Sequence, residues 1–130
     1  MTITPTFEEL LKIHNLALSH AEGAVDDEQD RYLRSLVPTG IYEHFKSTPQ
    51  DRKYYAVEGV GRDVDDGPYR VCYRSLYGKH YGERAFRVLV GEEKGFLMPV
   101  DRPEIPYRGA RFTPVQLCPE DELLRISEEY

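Results

Sequence analysis

The chain has 130 residues, of which 40% are hydrophobic and 31% are charged, with ten Tyr, five Phe and no Trp. This length and composition fit one domain with a modest core, and they exclude a chain that is disordered throughout. The net charge of −6 disfavours a protein that binds duplex nucleic acid, because such proteins normally neutralise phosphates with a clear excess of Lys and Arg.

The charge is unevenly distributed along the chain. Residues 1–39 carry three basic and seven acidic side chains, and residues 117–130 carry one basic and five acidic side chains. Residues 40–116 carry thirteen basic and eleven acidic side chains. The middle is therefore the basic part of the chain.

The sequence contains no recognisable targeting or membrane segment. No apolar run approaches the roughly 20 residues of a membrane-spanning helix, and residues 1–7 lack the basic and apolar blocks of a signal peptide. We therefore expect a cytoplasmic protein with no membrane partner. Cys72 and Cys118 are the two cysteines. Without a CxxC pair they indicate reduced thiols and no disulfide, and burial of Cys72 within a strand would raise its pKa and leave it inert.

The N-terminal third predicts a helical hairpin. Thr6 and Glu9 form a capping box, in which each side chain satisfies a backbone donor at a helix start. Asp26 or Asp27 caps a second, shorter helix that ends at Pro38. Apolar positions at spacings of three and four give each helix one inward face, and we expect these faces to cover the sheet, with docking of a partner or a second copy as the alternative. The inward positions are Phe7, Leu10, Leu11, His14, Ala17, Leu18, Tyr32, Leu33, Leu36 and Val37.

From Gly40 the hydrophobic period changes to two, which predicts strands. Turn residues at 65–68 and 91–95 predict hairpin connections, and prolines after residue 98 predict edge strand and ordered loop. Pro119 followed by acidic residues predicts a C-terminal helix. The expected strands are Ile41–Phe45, Tyr54–Val60, Tyr69–Leu76, Ala85–Val90 and Phe96–Val100, with a short piece at Arg111–Val115.

Two motifs in this middle part follow one another in a fixed order. GIYEHFK spans residues 40–46, VCYRSLYG spans residues 71–78, and Tyr55-x-Val57 lies between them. They resemble the GxYxHxK opening and the VxYxxLYG strand end of the bacterial domain-of-unknown-function family 1653. The resemblance covers about residues 40–100. It implies a compact SH3-like β-barrel, and it implies no activity, because none is established for the family.

The motif agreement ends at Gly78. The family typically continues with a WxRP segment, whereas Ala85–Val88 of this chain offers the arginine but neither the tryptophan nor the proline. Lys79–Gly82 reads as extra loop, and the helical segments at both ends of the chain lie outside the shared pattern. No role is therefore transferred to Arg87 from the family.

The stretch 73–84 is the richest in candidate binding residues, because aromatic side chains alternate there with cations and glycines. Aromatic faces can stack on bases for roughly 1–3 kcal/mol each, and arginine offers planar donors to phosphate or carboxylate. In the first strand, a period of two places Tyr42, His44 and Lys46 on one face. The alternative is structural: His44 bonded to a backbone carbonyl, and tyrosines packed in the core. The candidate ligand-binding residues are Tyr42, His44, Tyr73, Arg74, Tyr77, His80 and Arg84.

Catalytic and metal motifs are weak. The GVG at 59–61 lacks the third glycine and the following helix of a dinucleotide loop. Ser75 has no nucleophile elbow around it. His14 and His20 fall on different helix faces, and the aspartates at 63–66 lack the frame of a calcium loop. We therefore expect no cofactor and no metal.

These patterns predict a single domain of α+β class. An N-terminal helical hairpin (1–38) packs on a small SH3-like antiparallel β-barrel (40–116), and a short C-terminal helix (119–129) follows. The leading hypothesis is a non-enzymatic binding module for a small anionic ligand, a peptide or an unpaired nucleotide. One alternative is an enzyme acting on a nucleotide or phosphate ester, with His44 or His80 as acid/base and Arg74 or Arg87 stabilising negative charge. Another is a structural adaptor or homodimer acting through its acidic helices.

Overall fold

A computed structural model describes residues 5–22, 24–62 and 67–115 of the chain. In these residues two helices, α1 (Phe7–Ala21) and α2 (Asp27–Ser35), precede seven strands. The expected C-terminal helix at 119–129, Cys118 and the aspartates at 63–66 lie outside the described residues. The strands are β1 (Gly40–His44), β2 (Tyr54–Arg62), β3 (Tyr69–Ser75), β4 (Arg84–Val88), β5 (Val100–Arg102), β6 (Tyr107–Gly109) and β7 (Phe112–Pro114).

Reciprocal side-chain caps start the two helices; the sequence predicted the box at α1 and, for α2, a cap at Asp26 or Asp27. At α1, the backbone N–H of Glu9 donates to Thr6 Oγ1 at 3.1 Å, and the N–H of Thr6 donates to Glu9 Oε1 at 3.1 Å. At α2, Asp26 and Gln29 form the same pair of bonds at 2.8 and 3.0 Å. Each box satisfies two backbone donors that a helix start leaves unpaired, so the helix boundaries follow from local chemistry.

Specific polar contacts attach the helices to the strands. Tyr69 of β3 donates its hydroxyl hydrogen to Asp30 Oδ1 of α2 at 2.6 Å. Arg34 of α2 donates to the carbonyl of Val60 in β2 at 3.0 Å. In α1, His14 is buried, and its Nε2 accepts a hydrogen bond from the N–H of Gly91 at 3.2 Å. The predicted inward positions Ala17, Leu33 and Val37 lie in the same buried cluster as strand residues, so the helices pack on the sheet.

Replacing His14 by alanine is expected to destabilise the protein by about 1–3 kcal/mol, because a buried ring and one hydrogen bond are both lost. Urea unfolding followed by circular dichroism measures this change. Lys12→Ala, at an exposed position of the same helix, is the matched control and should stay within about 0.5 kcal/mol of the parent. Equal stabilities of the His14 and Lys12 variants would show that His14 does not anchor the helix.

The main sheet has five antiparallel strands in the order β4-β3-β2-β1-β7, and β5 pairs with β6 in a separate two-stranded sheet. No ladder joins β4 to β7 in the described part of the chain, so the sheet is open and the expected closed barrel is not formed. The two edges nevertheless approach each other, because the Arg87 guanidinium of β4 lies 5.3 Å from the Phe112 ring centroid of β7. The sheet therefore curls around an aromatic interior.

One predicted strand, Phe96–Val100, is wrong for all but its last residue. The chain turns through residues 91–98, and β5 begins only at Val100. The N–H groups of Phe96 and Leu97 donate to the carbonyls of Val88 and Leu89 at 2.8 and 3.1 Å. Pairing back onto the end of β4 satisfies the backbone and buries the Phe96 ring, which is 5% exposed, without a new ladder.

Strand β2 contains a β-bulge at Glu58. Val57 pairs with Tyr73 and Gly59 pairs with Cys72, so Glu58 is an extra residue in the ladder. Glu58 lies on the outer face, where Cys72 Sγ is 3.8 Å from Glu58 Oε1. Cys72 is therefore a free, half-buried thiol on that face. Its pKa is raised by burial and by the nearby Glu58 carboxylate.

Candidate functional site

Strand register assembles a candidate site on the concave face of the sheet. Tyr55 of β2 pairs with Ser75 of β3, and Tyr73 of β3 pairs with Ala85 of β4. Because side chains alternate along a strand, these four residues share one face. Tyr55 meets Tyr73 edge-on, with 5.3 Å between the ring centroids. The β3–β4 loop then brings Tyr77 over the same face.

These residues and the loop line a half-open cavity of about 450 Å³, which we call the aromatic cavity. The loop is held in place by backbone bonds from Gly82 N–H to the Ser75 carbonyl at 2.8 Å and from Ser75 N–H to the Glu83 carbonyl at 3.3 Å. Gly78 and Gly82 have φ of 68° and 82°, a conformation that glycine adopts without strain. The lining residues are Tyr55, Tyr73, Ser75, Tyr77, Gly78, Lys79, His80, Glu83, Arg84 and Ala85.

Tyr55 and Tyr77 form a fixed aromatic corner of the cavity. Their hydroxyl oxygens are 2.6 Å apart, and their rings are perpendicular with centroids 5.4 Å apart. Burial and the bond to Tyr77 raise the pKa of Tyr55, so its hydroxyl stays protonated. The Lys53 ammonium lies 4.8 Å from the centroid of the Tyr77 ring. The corner thus offers flat apolar faces beside two hydroxyl groups.

The charged rim of the cavity is largely compensated by protein carboxylates. Arg84 Nε donates to Glu58 Oε1 at 2.7 Å, which holds the pKa of Glu58 below its usual range. His80 Nδ1 and Glu83 Oε2 are 2.7 Å apart on the opposite side of the rim, and the two side chains are about two-thirds exposed. The rim therefore contributes polarity but little net positive charge.

The structure brings together four of the seven residues proposed from the sequence. Tyr73, Tyr77, His80 and Arg84 line the aromatic cavity, whereas the other three lie elsewhere. Tyr42 is 6% exposed and donates to the carbonyl of Pro38 at 2.8 Å. Arg74 lies on the outer face, where its Nε is 3.6 Å from Glu58 Oε2. The seven side chains therefore do not form one continuous surface.

His44 lies in the interior of the curled sheet, outside the aromatic cavity. Its ring contacts Phe112 and Tyr55, with centroids 5.1 and 6.2 Å apart. Nδ1 accepts a hydrogen bond from the backbone N–H of Lys46 at 3.1 Å. The structural alternative from the sequence had instead paired His44 with a backbone carbonyl. Burial and then the positive charge of nearby arginines lower the pKa of His44 to about 4. The imidazole is therefore neutral at pH 7.

Sequence reasoning missed two features of this interior. Tyr55 was noted only within a motif, although its alternation with Val57 marks it as inward-facing. Arg111 is 8% exposed, and no sequence pattern distinguishes a buried arginine from the exposed majority. Arg87, which the sequence proposed only for the enzyme alternative, donates from Nε to the Tyr73 hydroxyl at 3.3 Å. The concave face is thus more cationic than the seven proposed residues indicate.

The described residues contain neither a metal-ligand cluster nor a membrane-spanning helix. No group of three or more His, Cys, Asp or Glu side chains is placed to hold a metal ion in residues 5–22, 24–62 and 67–115. None of the helices in the same part of the chain has the length and apolar character needed to cross a membrane.

Comparison with known proteins supports the fold. No family model matches the chain, and no curated protein sequence matches it significantly. The chain is similar to the crystal structure of a protein of domain-of-unknown-function family 1653 from Bordetella bronchiseptica. The TM-score is 0.50 and the identity is 23%, over 67% of this chain and 99% of that one. The resemblance inferred from the two motifs is therefore confirmed as a shared fold of α+β class.

Proposed function

We propose that this chain is a small binding module whose aromatic cavity receives the flat ring of a small anionic ligand. The observation that carries the proposal is the cavity itself, whose volume of about 450 Å³ falls in the range of roughly 300–1,000 Å³ typical of small-molecule sites. Tyr55, Tyr73 and Tyr77 supply its walls. A nucleobase or an aromatic peptide side chain fits such walls equally well, because each presents a flat apolar face.

The arrangement of catalytic candidates favours binding over catalysis. His80 lines the cavity, but its exposed ring is paired with Glu83. Arg74, the arginine proposed to act with it, lies on the other face of the sheet. An acid/base and a cation that must stabilise the same phosphate have to meet within hydrogen-bond reach. The interior pair of His44 and Arg87 remains the sounder basis for the enzyme alternative.

The proposal extends to the type of sheet and to the domain organisation. The open sheet is best described as an SH3-like barrel that has not closed, supported by the approach of Arg87 to Phe112 across its two edges. The helices and the sheet are proposed to form a single domain, supported by the bonds from α1 and α2 to the sheet and its turns. The sequence predicts a cytoplasmic location. It also leaves a second function open, that of a structural adaptor or homodimer acting through the acidic helices.

Replacing Tyr77 by alanine is expected to weaken the binding of phenyl phosphate, used as a probe with one ring and one anion, by about tenfold or more. The reason is that the variant loses one stacking face. Tyr77→Phe keeps the ring and loses only the part-buried hydroxyl bond to Tyr55, so it should bind within about threefold of the parent. Titration of amide chemical shifts by NMR measures both affinities.

The control for this experiment is Tyr81→Ala. Tyr81 belongs to the same loop but packs against Ile41 and Leu76 outside the cavity. If Tyr81→Ala weakens the probe as much as Tyr77→Ala does, or if neither change matters, the cavity is not the site. Appearance of free phenol in the same samples would instead support the enzyme alternative.

A further inference from the structure

Two arginines donate hydrogen bonds to the turn that follows β4. Arg87 Nη1 donates to the carbonyl of Lys94 at 2.7 Å, and Arg111 Nη2 donates to the carbonyl of Glu93 at 3.0 Å. Since the two carbonyls belong to consecutive residues, the side chains that bind them are neighbours. Burial lowers the pKa of Arg111, and the like charge of Arg87 lowers it further.

Neither arginine has a carboxylate partner among the described residues. The ion pairs found there involve other cations. Glu93 is close enough to act electrostatically on Arg111 but forms no ion pair with it. Arg111 is 8% exposed, and its buried Nε has no hydrogen-bond partner in the part of the chain that is described. Burying an unpaired charge is costly, so a counter-charge at this place would stabilise the protein.

The surroundings of Arg87 are also suited to an anion. Arg87 and Tyr73 line a recess of about 230 Å³ together with two further cations, Arg70 and Lys94, and one acidic side chain, Glu92. Arg111 is not among the residues that line this recess. Tyr73 lines the aromatic cavity as well, so the recess and the cavity are adjacent. The charge of Arg84 is already matched by Glu58, whereas the hydrogen bonds of Arg87 within the described part of the chain go to a hydroxyl and a carbonyl, and its guanidinium lies over the Phe112 ring.

We propose that Arg87 and Arg111 form a binding site for an oxyanion of the phosphate or carboxylate class. Planar guanidinium donors match the paired oxygens of these groups, and two of them can hold one anion from two directions. The inference rests on the proposed function in one respect: the anion belongs to the ligand whose ring occupies the aromatic cavity. The site itself needs no ring, so an inorganic anion tests it separately.

The experiment titrates the protein with inorganic phosphate, and in parallel with acetate, at constant ionic strength maintained with chloride. The Nε–Hε signal of Arg111 and the amide signals around Arg87 and Lys94 are followed by NMR. Saturable shifts with phosphate alone assign a phosphate site, and saturable shifts with acetate as well assign a general oxyanion site. The absence of saturable shifts with either anion overturns the inference.

The test variant is Arg87→Gln, which keeps the size and polarity of the side chain but removes its charge. We expect it to weaken phosphate binding about tenfold or more, while Arg108→Gln, an exposed arginine paired with Glu8, leaves binding within about twofold. Circular dichroism confirms that the variants are folded. If Arg87→Gln is folded and binds phosphate as the parent does, the inference is wrong.

The imidazole of His44 gives an independent readout. Arg87 of β4 and Arg111 beside β7 face it, and so do Lys46 after β1 and Lys53 before β2. An anion bound between the arginines offsets two of these charges, so phosphate should raise the pKa of His44 measured by NMR. Phosphate that binds without moving this pKa would place the anion elsewhere and overturn the inference. A ringed probe that binds in the aromatic cavity while phosphate fails would leave the proposed function standing and remove only the anion site.

Discussion

Replacing Phe112 by alanine will lower the free energy of unfolding by about 3–5 kcal/mol, the cost of removing a large aromatic side chain from a packed interior. Phe112 is 6% exposed and stacks on Phe96 with 4.4 Å between the ring centroids and 6° between the planes. Tyr55 and Tyr73 contact it from β2 and β3, at 5.6 and 5.8 Å. Urea unfolding followed by circular dichroism measures the loss.

The same residue offers a conservative control. Phe112→Leu retains most of the apolar volume and should cost roughly 1–2 kcal/mol. The alanine variant also removes the ring beneath the Arg87 guanidinium, so it should increase the exchange of the Arg87 Nε–H with water. An alanine variant as stable as the leucine variant would mean that Phe112 is not the centre of the interior.

Acidification is expected to destabilise the protein through His44 by about 3 kcal/mol between pH 7 and pH 4. The folded pKa of about 4 lies below the unfolded value of about 6.5, so the unfolded state binds more protons in this window. Stability therefore falls as the pH drops through 6.5 and levels off near 4. Roughly 2 kcal/mol of the loss should be present by pH 5, above the range in which carboxylates titrate.

The variant that tests this origin is His44→Gln, which has no titrating ring. Its unfolding free energy should change by less than about 1 kcal/mol between pH 7 and pH 5, while the parent shows the full effect. Carboxyl groups with lowered pKa, such as Asp30 beside Tyr69 and Arg34, contribute only at lower pH, where the stability they provide is lost on protonation. A glutamine variant with the acid sensitivity of the parent would assign the effect to another group.

Local rules predicted the helices and most of the main sheet. The start of α1 could be placed to the residue because Thr6 has a capping partner, Glu9, three residues later. For α2 the sequence left Asp26 and Asp27 as alternatives, and the structure selects Asp26, which pairs with Gln29. The strand predicted at Tyr69–Leu76 is β3 to within one residue, and its buried side chains Tyr69, Val71 and Tyr73 alternate as the period of two predicts, although the sequence did not identify which face is buried. These signals depend on neighbours in sequence, and the structure retains them because tertiary packing agrees with the local preference.

The failures occurred where partners far apart in the chain decide the structure. Phe96 lies in a short apolar run that is typical of a strand, yet it packs on Phe112 and Tyr42 while its backbone bonds to the end of β4. The site was incomplete for the same reason. Arg74 and Arg87 look equivalent in sequence, but strand register turns the first to the outer face and the second to the interior.

The extra residue in β2 also bears on how this chain can vary in length. Val57 and Val60 lie on either side of Glu58, and both side chains point inward. In an unbroken strand, residues that share a face are two positions apart. Val57 and Val60 would have this spacing if Glu58 were absent. The ladder thus has no need of a residue at this position. What position 58 supplies is a carboxylate between Arg74 and Arg84, so a homologue that is one residue shorter here keeps its register and has to neutralise those two arginines in another way.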